Sequence, residues 1–443
     1  MPDAGFGICR AGLGRRECDR VPIFAGGVMR VCVIGAGVIG VTSAYFLARQ
    51  GYEVTLVDGR SRPGEGTSYA NGGQLSYSYV APLAGPGVLA SVPAWLLRED
   101  SPLRFRPRLD PHQWRWCVSF AMACRASVAR TATAQMLALS YLSRDVLHAL
   151  LEQEPLSFNH LRNGKLIVYR SAALLEKARG FVEYQASHGA DQRVLTAAQT
   201  LDLEPALSGM RASLAGAVYT PGEEVGDCLL FTEGLFERLA RLPNVQTRMG
   251  LPVRGLRRGG TKVVAAHTPD GDIEADAFVV ASGMGSCALL RPLGQAVPLY
   301  GLKGYSLTVP RREDDTVAPT ISVTDYERRI VYARIGAVLR MAAMVDIGGD
   351  AAIDERRITL LKRQVREAFP ALPLETAVPW AGLRPATPAG KPLIGPSRAA
   401  SNLWMNVGHG ALGFTLACGS AALLTAQMAG VQAPIQPGPF LPA

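Results

Sequence analysis

The sequence predicts an α/β protein in two parts: a doubly wound parallel sheet, interleaved with a second domain of α+β character on a mixed β-sheet. Three observations carry this expectation. A glycine pattern joins a buried-strand signature to a helix at residues 30–40, short β-type runs recur between Val253 and Met344, and an uncharged helix at residues 411–430 follows a glycine-rich turn. At 443 residues the chain exceeds one compact core and implies two or three domains.

The opening unit is the most specific. Val31, Cys32, Val33 and Ile34 lack polar alternation, as a strand buried on both faces requires. They run into Gly35, Ala36, Gly37, Val38, Ile39 and Gly40, a G-x-G-x-x-G pattern at the start of a helix that Gly51 ends. A second strand, Glu53 to Val57, ends on Asp58, about 20 residues beyond the glycines, as the Rossmann-like dinucleotide fingerprint requires. In that unit Gly35 permits the tight turn, Gly37 admits a pyrophosphate to backbone N–H groups, and Gly40 allows close helix–strand packing. Asp58 would accept hydrogen bonds from ribose hydroxyls. The pattern suits FAD and NAD alike.

Further along, apolar spacing is helical over residues 114–152, and residues 164–169 read as a strand. Helices are expected over 173–188 and 228–241, the latter leading to a strand at 245–249. Residues 263–266 and 277–280 flank the turn sequence Pro269-Asp270-Gly271-Asp272, a hairpin signal, and 277–280 run into small residues as another buried strand. Strands at 305–309, 329–334 and 339–344 precede a helix over 354–369.

The net charge of +9 is spread rather than gathered into runs, which argues against a nucleic-acid partner. Eight cysteines form no C-x-x-C pair and show no metal-ligand spacing with histidine, so no metal site is expected and a reducing cytoplasm is the simplest setting. Residues 1–28 carry four arginines among glycines and no continuous apolar stretch. They read as a disordered extension, an upstream translation start being one origin for it, with an Arg-rich targeting segment as the alternative. Residues 80–97 are uncharged but broken by three prolines, which suits a buried loop or an apolar surface patch. The 411–430 segment is long enough to span a membrane, yet Gly419, Ser420 and Gln427 favour a core helix.

Six separated stretches then converge: residues 30–45, 67–87 (TSYANGGQLSYSYVAPLAGPG), 222–232 (GEEVGDCLLFT), 298–309 (PLYGLKGYSLTV), 380–395 (WAGLRPATPAGKPLIG) and 402–419 (NLWMNVGHGALGFTLACG). In this order they resemble the FAD-dependent amine and amino-acid oxidoreductases, the family of D-amino-acid oxidase, glycine oxidase and sarcosine oxidase. The branch they resemble within it is the small subunit of the bacterial D-amino-acid dehydrogenases. The resemblance covers the chain from Met29 almost to its end.

That likeness implies FAD, and because no cysteine or histidine sits in a motif tied to a flavin linkage, the FAD is expected to be non-covalent. The likeness places Asn71, Gly72, Gly73 and Gln74 against the isoalloxazine ring, Val253 at the adenine, and Ser282 and Gly283 near the pyrophosphate. Gly408, Gly410, Leu412 and Gly413 would set the last helix N-terminus toward the flavin N1–C2=O region. Arg384, in Gly382-Leu383-Arg384-Pro385, matches the family's G-[LF]-R-P motif, whose arginine holds a substrate carboxylate; the alternative is a structural ion pair. Tyr305 and Tyr332 are candidates to accompany it, or ordinary strand packing. Lys303 reads as a water or carboxylate contact, or as surface. His409 is a candidate for proton transfer, or a histidine satisfied within its turn.

The implied domains are a FAD-binding part of residues 29–150, 225–290 and 375–435, and a substrate-binding part of 151–224 and 291–374. The implied reaction oxidises a D-amino acid by transfer of the Cα hydride to flavin N5, and water releases the 2-oxo acid and ammonium. Electrons would leave to a quinone-type acceptor, with peripheral membrane contact through a patch such as residues 80–97. Three rivals stand beside it: a sibling acting on D-hydroxyproline, sarcosine or glycine with O₂, an RNA-acting flavoprotein, and a non-catalytic FAD-binding subunit.

Overall fold

The computed structural model describes residues 28–89, 92, 100–187, 189–311 and 316–442. The expected disorder of the extension lies outside the described residues except for Val28, as does most of the apolar stretch beyond residue 89.

β1 (Arg30–Ile34), α1 (Val38–Arg49) and β2 (Glu53–Asp58) form the opening unit. β1 lies between β2 and the strand Ala277–Val280, parallel to both. Leu403–Val407 and Leu393–Pro396 extend the sheet on one side and Val245–Met249 on the other; only the Leu393–Pro396 pairing is antiparallel. Both faces of β1 are covered, which explains its unbroken apolar run. Val31 and Val33 pack with α1 and the last helix, while Cys32 and Ile34 pack on the other side with Val263, Leu289 and Met405. Beyond α1, Gly51 adopts φ +97°, the left-handed stop that its position predicts.

Two expectations are corrected here. The helical region at 114–152 is two helices, Pro111–Ala123 and Ala126–Gln153, because Arg125 takes an extended conformation between them. Asp110 caps the first by accepting the His112 N–H at 2.9 Å. The hairpin strand Lys262–Thr268 pairs with Gly271–Glu274, not with Ala277–Val280. The latter has no polar alternation and goes to the buried parallel sheet, whereas the half-exposed hairpin stays outside it.

The second sheet follows the order Val378–Ala386, Tyr300–Pro310, Val338–Ile347, Ile330–Ile335, Ser322–Asp325, Lys165–Tyr169, Gly216–Thr220 and Arg193–Thr196, with Leu103–Phe105 parallel to Val338–Ile347. The strand Val378–Ala386 falls within the residues expected for the FAD-binding part, yet all of it pairs with residues 300–308 of the strand Tyr300–Pro310. One sheet face carries Tyr305, Leu307, Tyr332 and Met341 and packs on the helix Glu355–Ala368 and Phe369. Alternation turns Val331 and Ala342 the other way, where both meet Gly72 of the first domain's loop.

The last helix, Gly413–Ala429, runs between α1 and Ala126–Gln153. Although Gly410–Ala429 is long and apolar enough to cross a membrane, 78% of its most apolar window is buried inside the fold. At Gly419 a Cβ would come within 2.8 Å of Leu139 and Ser143, and its N–H donates to Ser143 Oγ at 3.0 Å. The glycine lets two helix backbones approach closely.

Candidate active site

The first part of the site is a cradle of open backbone at the start of α1. Gly35 takes φ +112° and lies so close to Ala281 and Ser282 that no Cβ fits. A Cβ on Gly40 would overlap the Gly35 carbonyl. Gly37 differs, since a Cβ there meets only Ser68 Oγ, at 3.6 Å, and as the α1 N-cap it supplies no side-chain acceptor. Val38 N–H donates to Ser68 Oγ at 3.1 Å. Gly35 and Gly40 therefore serve packing, while Gly37 leaves space over a helix N-terminus whose partial positive charge suits an anion. Val31, Cys32, Val33 and Ile34 direct their side chains into the two cores and act by carrying this turn; Ala36 is buried and Ile39 half-buried beside it.

Asp58 accepts the Ala36 N–H at 2.7 Å and the Arg60 N–H at 2.8 Å. Those two bonds leave acceptor capacity on its carboxylate. Leu251 N–H donates to the Asp58 carbonyl, which brings the turn containing half-buried Val253 beside the acid. Ala281 N–H donates to the Ile34 carbonyl and leads into Ser282 and Gly283; Gly283, at φ +56°, would have nothing within 4 Å of a Cβ. A glycine cradle open at Gly37 and Gly283, beside a carboxylate with spare acceptors, fits the dinucleotide half of FAD.

The second part is the loop from Thr67 to Gln74. Asn71 Oδ1 accepts the Gly73 N–H at 3.0 Å, which fixes Gly73 at φ +62°. Gly73 passes its carbonyl to the Gly226 N–H at 2.8 Å, and Gly72 rests on Val331 and Ala342. Arg340 spans the Asn71 carbonyl and Asp227 Oδ2, at 3.4 and 3.5 Å. Thr67 Oγ1 donates to the Leu383 carbonyl at 3.0 Å, tying the loop to the Arg384 strand.

Arg384 is half-buried on the face that Gly72 touches. It pairs with Leu302, two residues along from the Gly304–Gly382 pair, and its guanidinium lies over Gly304. Nη1 donates to the Met344 carbonyl at 3.2 Å. Met344 has φ +66° at a bulge where the strand register slips opposite Gly304. The bulge turns that carbonyl to the guanidinium. Among the described residues no carboxylate pairs with Arg384, and burial pushes its pKa down to about 10, so it stays charged at neutral pH. A cation without a protein counter-ion is what an incoming carboxylate needs.

The tyrosines do not join it. Tyr305 faces the helix Glu355–Ala368 and donates to Asp346 Oδ2 at 2.9 Å, and Tyr332 stacks edge-on to Phe369 at 4.8 Å. Strand alternation puts both on the sheet face away from Arg384. Lys303 shares their side and is buried, with Nζ 4.0 Å from Asp350. His409 pairs with Ala386 through a backbone bridge and turns its ring inward, Nε2 lying 3.1 Å from Ser420 Oγ. Burial pushes its pKa down to about 3, leaving it neutral. Around it Gly408 and Gly410 take positive φ, and Leu412 and Gly413 begin the last helix without a side-chain cap. Sequence reasoning missed Ser68, Arg340 and Lys165; only Ser68 lies within one of the six resembling stretches, at 67–87.

The fold and cradle define a dinucleotide-binding protein, and the family match makes it a flavin-dependent oxidoreductase. The chain belongs to the FAD dependent oxidoreductase family, whose pattern matches residues 30–427, and FAD is its cofactor. It is similar to D-amino acid dehydrogenase 2 of Ralstonia nicotianae, 52% identical over 89% of this chain and 95% of that one. It is likewise similar to D-amino acid dehydrogenase 2 of Pseudomonas aeruginosa, 51% identical over 90% and 94%. In fold it matches glycine oxidase from Geobacillus kaustophilus, with a TM-score of 0.73 at 19% identity over 94% of this chain and 99% of that one. L-alpha-glycerophosphate oxidase from Mycoplasma pneumoniae, with FAD bound, gives 0.70 at 15% over 93% and 97%.

Proposed function

We propose that this protein oxidises D-amino acids to imino acids, which water converts to 2-oxo acids and ammonium, and passes the electrons to a quinone while resting on the cytoplasmic face of a membrane. The dehydrogenases from Ralstonia and Pseudomonas, identical at half of their aligned residues, support the substrate class. Arg384 carries the reading: its guanidinium, which has no carboxylate partner among the described residues, anchors the substrate carboxylate and fixes the direction of the Cα–H bond. Bound non-covalently in the glycine cradle, FAD supplies the hydride acceptor.

In the described part of the apolar stretch expected to meet the membrane, residues 80–89 and 92, Val80 and Ala84 are buried and Leu89 is exposed, and the helix Pro111–Ala123 supports the same contact. Its inner face holds Trp116 and Phe120 against Tyr300 and Leu302, and Trp116 Nε1–H donates to the Ala386 carbonyl, two residues from Arg384. Its outer stripe exposes Trp114, Val118 and Met122, at 48%, 60% and 53%. From residue 111 to 144 the chain has no acid, and Arg115, Arg125 and Arg130 are exposed. An apolar stripe edged by arginines suits an anionic bilayer.

Anaerobic titration of the flavin with D- and L-amino acids and secondary amines tests the chemistry. Bleaching by D-amino acids is expected; bleaching by sarcosine or glycine alone would overturn the substrate class, and release of H₂O₂ in air would overturn the acceptor. Trp114→Ser with Val118→Ser should abolish flotation with phosphatidylglycerol vesicles and leave dye-linked activity intact. Undiminished flotation would overturn the bilayer contact.

A further inference from the structure

Lys165 opens the strand Lys165–Tyr169 and is 1% exposed. Val323 pairs with Tyr332 on the helix-covered face, so the adjacent Ser322, and Lys165 in register with it, face toward the glycine loops. Lys165 Nζ donates to Gln74 Oε1 and to Ser76 Oγ, both at 2.9 Å, and lies 4.4 Å from the centre of the Tyr79 ring. Gln74 Nε2 donates in turn to Ser322 Oγ. The amide is thus held at both ends, which also fixes its orientation.

The main chain at the same residue is held from the other domain. Thr415, in the first turn of the last helix, donates through Oγ1 to the Gln74 carbonyl at 3.3 Å and accepts the Ser76 N–H at 3.1 Å. Gln74 therefore joins the large sheet to the helix that begins at the glycine turn. Among the described residues no carboxylate comes within ion-pair distance of Lys165. Glu223 is near enough to act through space, but its Oε1 accepts the Ser78 N–H at 2.7 Å and its Oε2 has no hydrogen-bond partner. Burial lowers the lysine pKa to about 8, against the opposing pull of Glu223. A buried amine with neutral partners is costly, so this one is kept in place by what it holds.

We propose that Lys165 is a positioning residue that locks the Gln74 side chain, and through it the Asn71–Gln74 loop, against the bound flavin. The proposal rests on that loop contacting FAD, and it needs no proton transfer by Lys165.

A double-mutant cycle on the full-length chain tests it, with FAD stripped and then titrated back while flavin fluorescence is followed. Lys165→Met and Gln74→Leu are each expected to weaken FAD binding about tenfold, the scale of one hydrogen bond to a charged group. The double variant should be no weaker than either single by more than about twofold, because the two changes remove one interaction. Losses that multiply, or wild-type binding by Lys165→Met, would overturn the proposal. Should Lys165→Met not fold, Ser322→Ala replaces it in the cycle. It should weaken FAD alone and add nothing to Gln74→Leu, and multiplied losses there overturn the proposal equally. A wild-type chain that takes up no FAD overturns the flavin reading and the proposal with it, whereas multiplied losses in a chain that binds FAD overturn the proposal alone.

Discussion

The guanidinium of Arg384 occupies the space where a side chain on Gly304 would begin. The two residues sit on adjacent strands, and the glycine leaves a floor on which the planar fork lies flat while Nη1 reaches the Met344 carbonyl. Gly304→Ala should therefore lift the fork without disturbing the nucleotide cradle. The expected result is kcat/KM for D-amino acids lowered by about tenfold or more with FAD content unchanged, since small misplacements of an anchor are costly in rate. Normal kinetics in the alanine variant would show that the fork does not need this floor.

Arg384→Lys keeps the charge but loses the bidentate geometry, so kcat/KM should fall while FAD stays bound. Arg384→Ala should lose more, by roughly 2–5 kcal/mol of transition-state stabilisation. An amine substrate without a carboxylate should lose much less in the alanine variant. Equal damage to both substrates would return Arg384 to a structural role.

The glycines of the cradle should separate by variant. Gly37→Val should give folded, colourless protein, because the added methyls fill the approach to the α1 N-terminus. Gly40→Ala should fail to fold stably, because its Cβ overlaps the Gly35 carbonyl. Yellow Gly37→Val protein would place the phosphates elsewhere. Acid precipitation of the wild type should leave the flavin in the supernatant, and a yellow pellet would reveal a covalent link.

His409 should make stability fall in acid. Its pKa of about 3 in the folded chain lies below the ordinary 6.5, so the unfolded chain binds a proton that the buried ring refuses. The contribution is complete above about pH 6.5 and is lost as pH falls toward 3, at about 1.4 kcal/mol per pH unit from this group. Urea unfolding at pH 7, 6, 5 and 4 should show a shallower acid slope for His409→Asn. An identical slope in both proteins would rule the histidine out as its source.

What could be read in the sequence was local. The turn from Gly35 to Gly40, the Gly51 stop and Asp58 lie within one βαβ unit, so their spacing alone specifies their geometry. Arg384 was legible through its neighbours in a short motif. Tyr305 and Tyr332 were not, because a strand's alternation says which residues share a face but not which face a distant helix covers. The Met344 bulge left no sequence signal, since any residue can be forced to positive φ by its surroundings. Strand choice at Ala277–Val280 was decided by a parallel partner nearly 250 residues earlier, and nothing in the sequence marked Lys165 among the six lysines until the fold buried it.

The last helix also constrains how the chain is made. The nucleotide-side sheet receives Leu403–Val407, and α1 receives its apolar cover from Gly413–Ala429, only after the strands and helices of residues 30–402 have been synthesised. Until then the greasy flank of α1 and the edge of Ala277–Val280 stand open. The flavin half cannot mature on the ribosome ahead of the substrate half. It depends on residues 403–429 to seal it, and a ribosome that stalls or terminates before residue 403 releases a product with an exposed edge strand, suited to aggregation and to quality-control proteases.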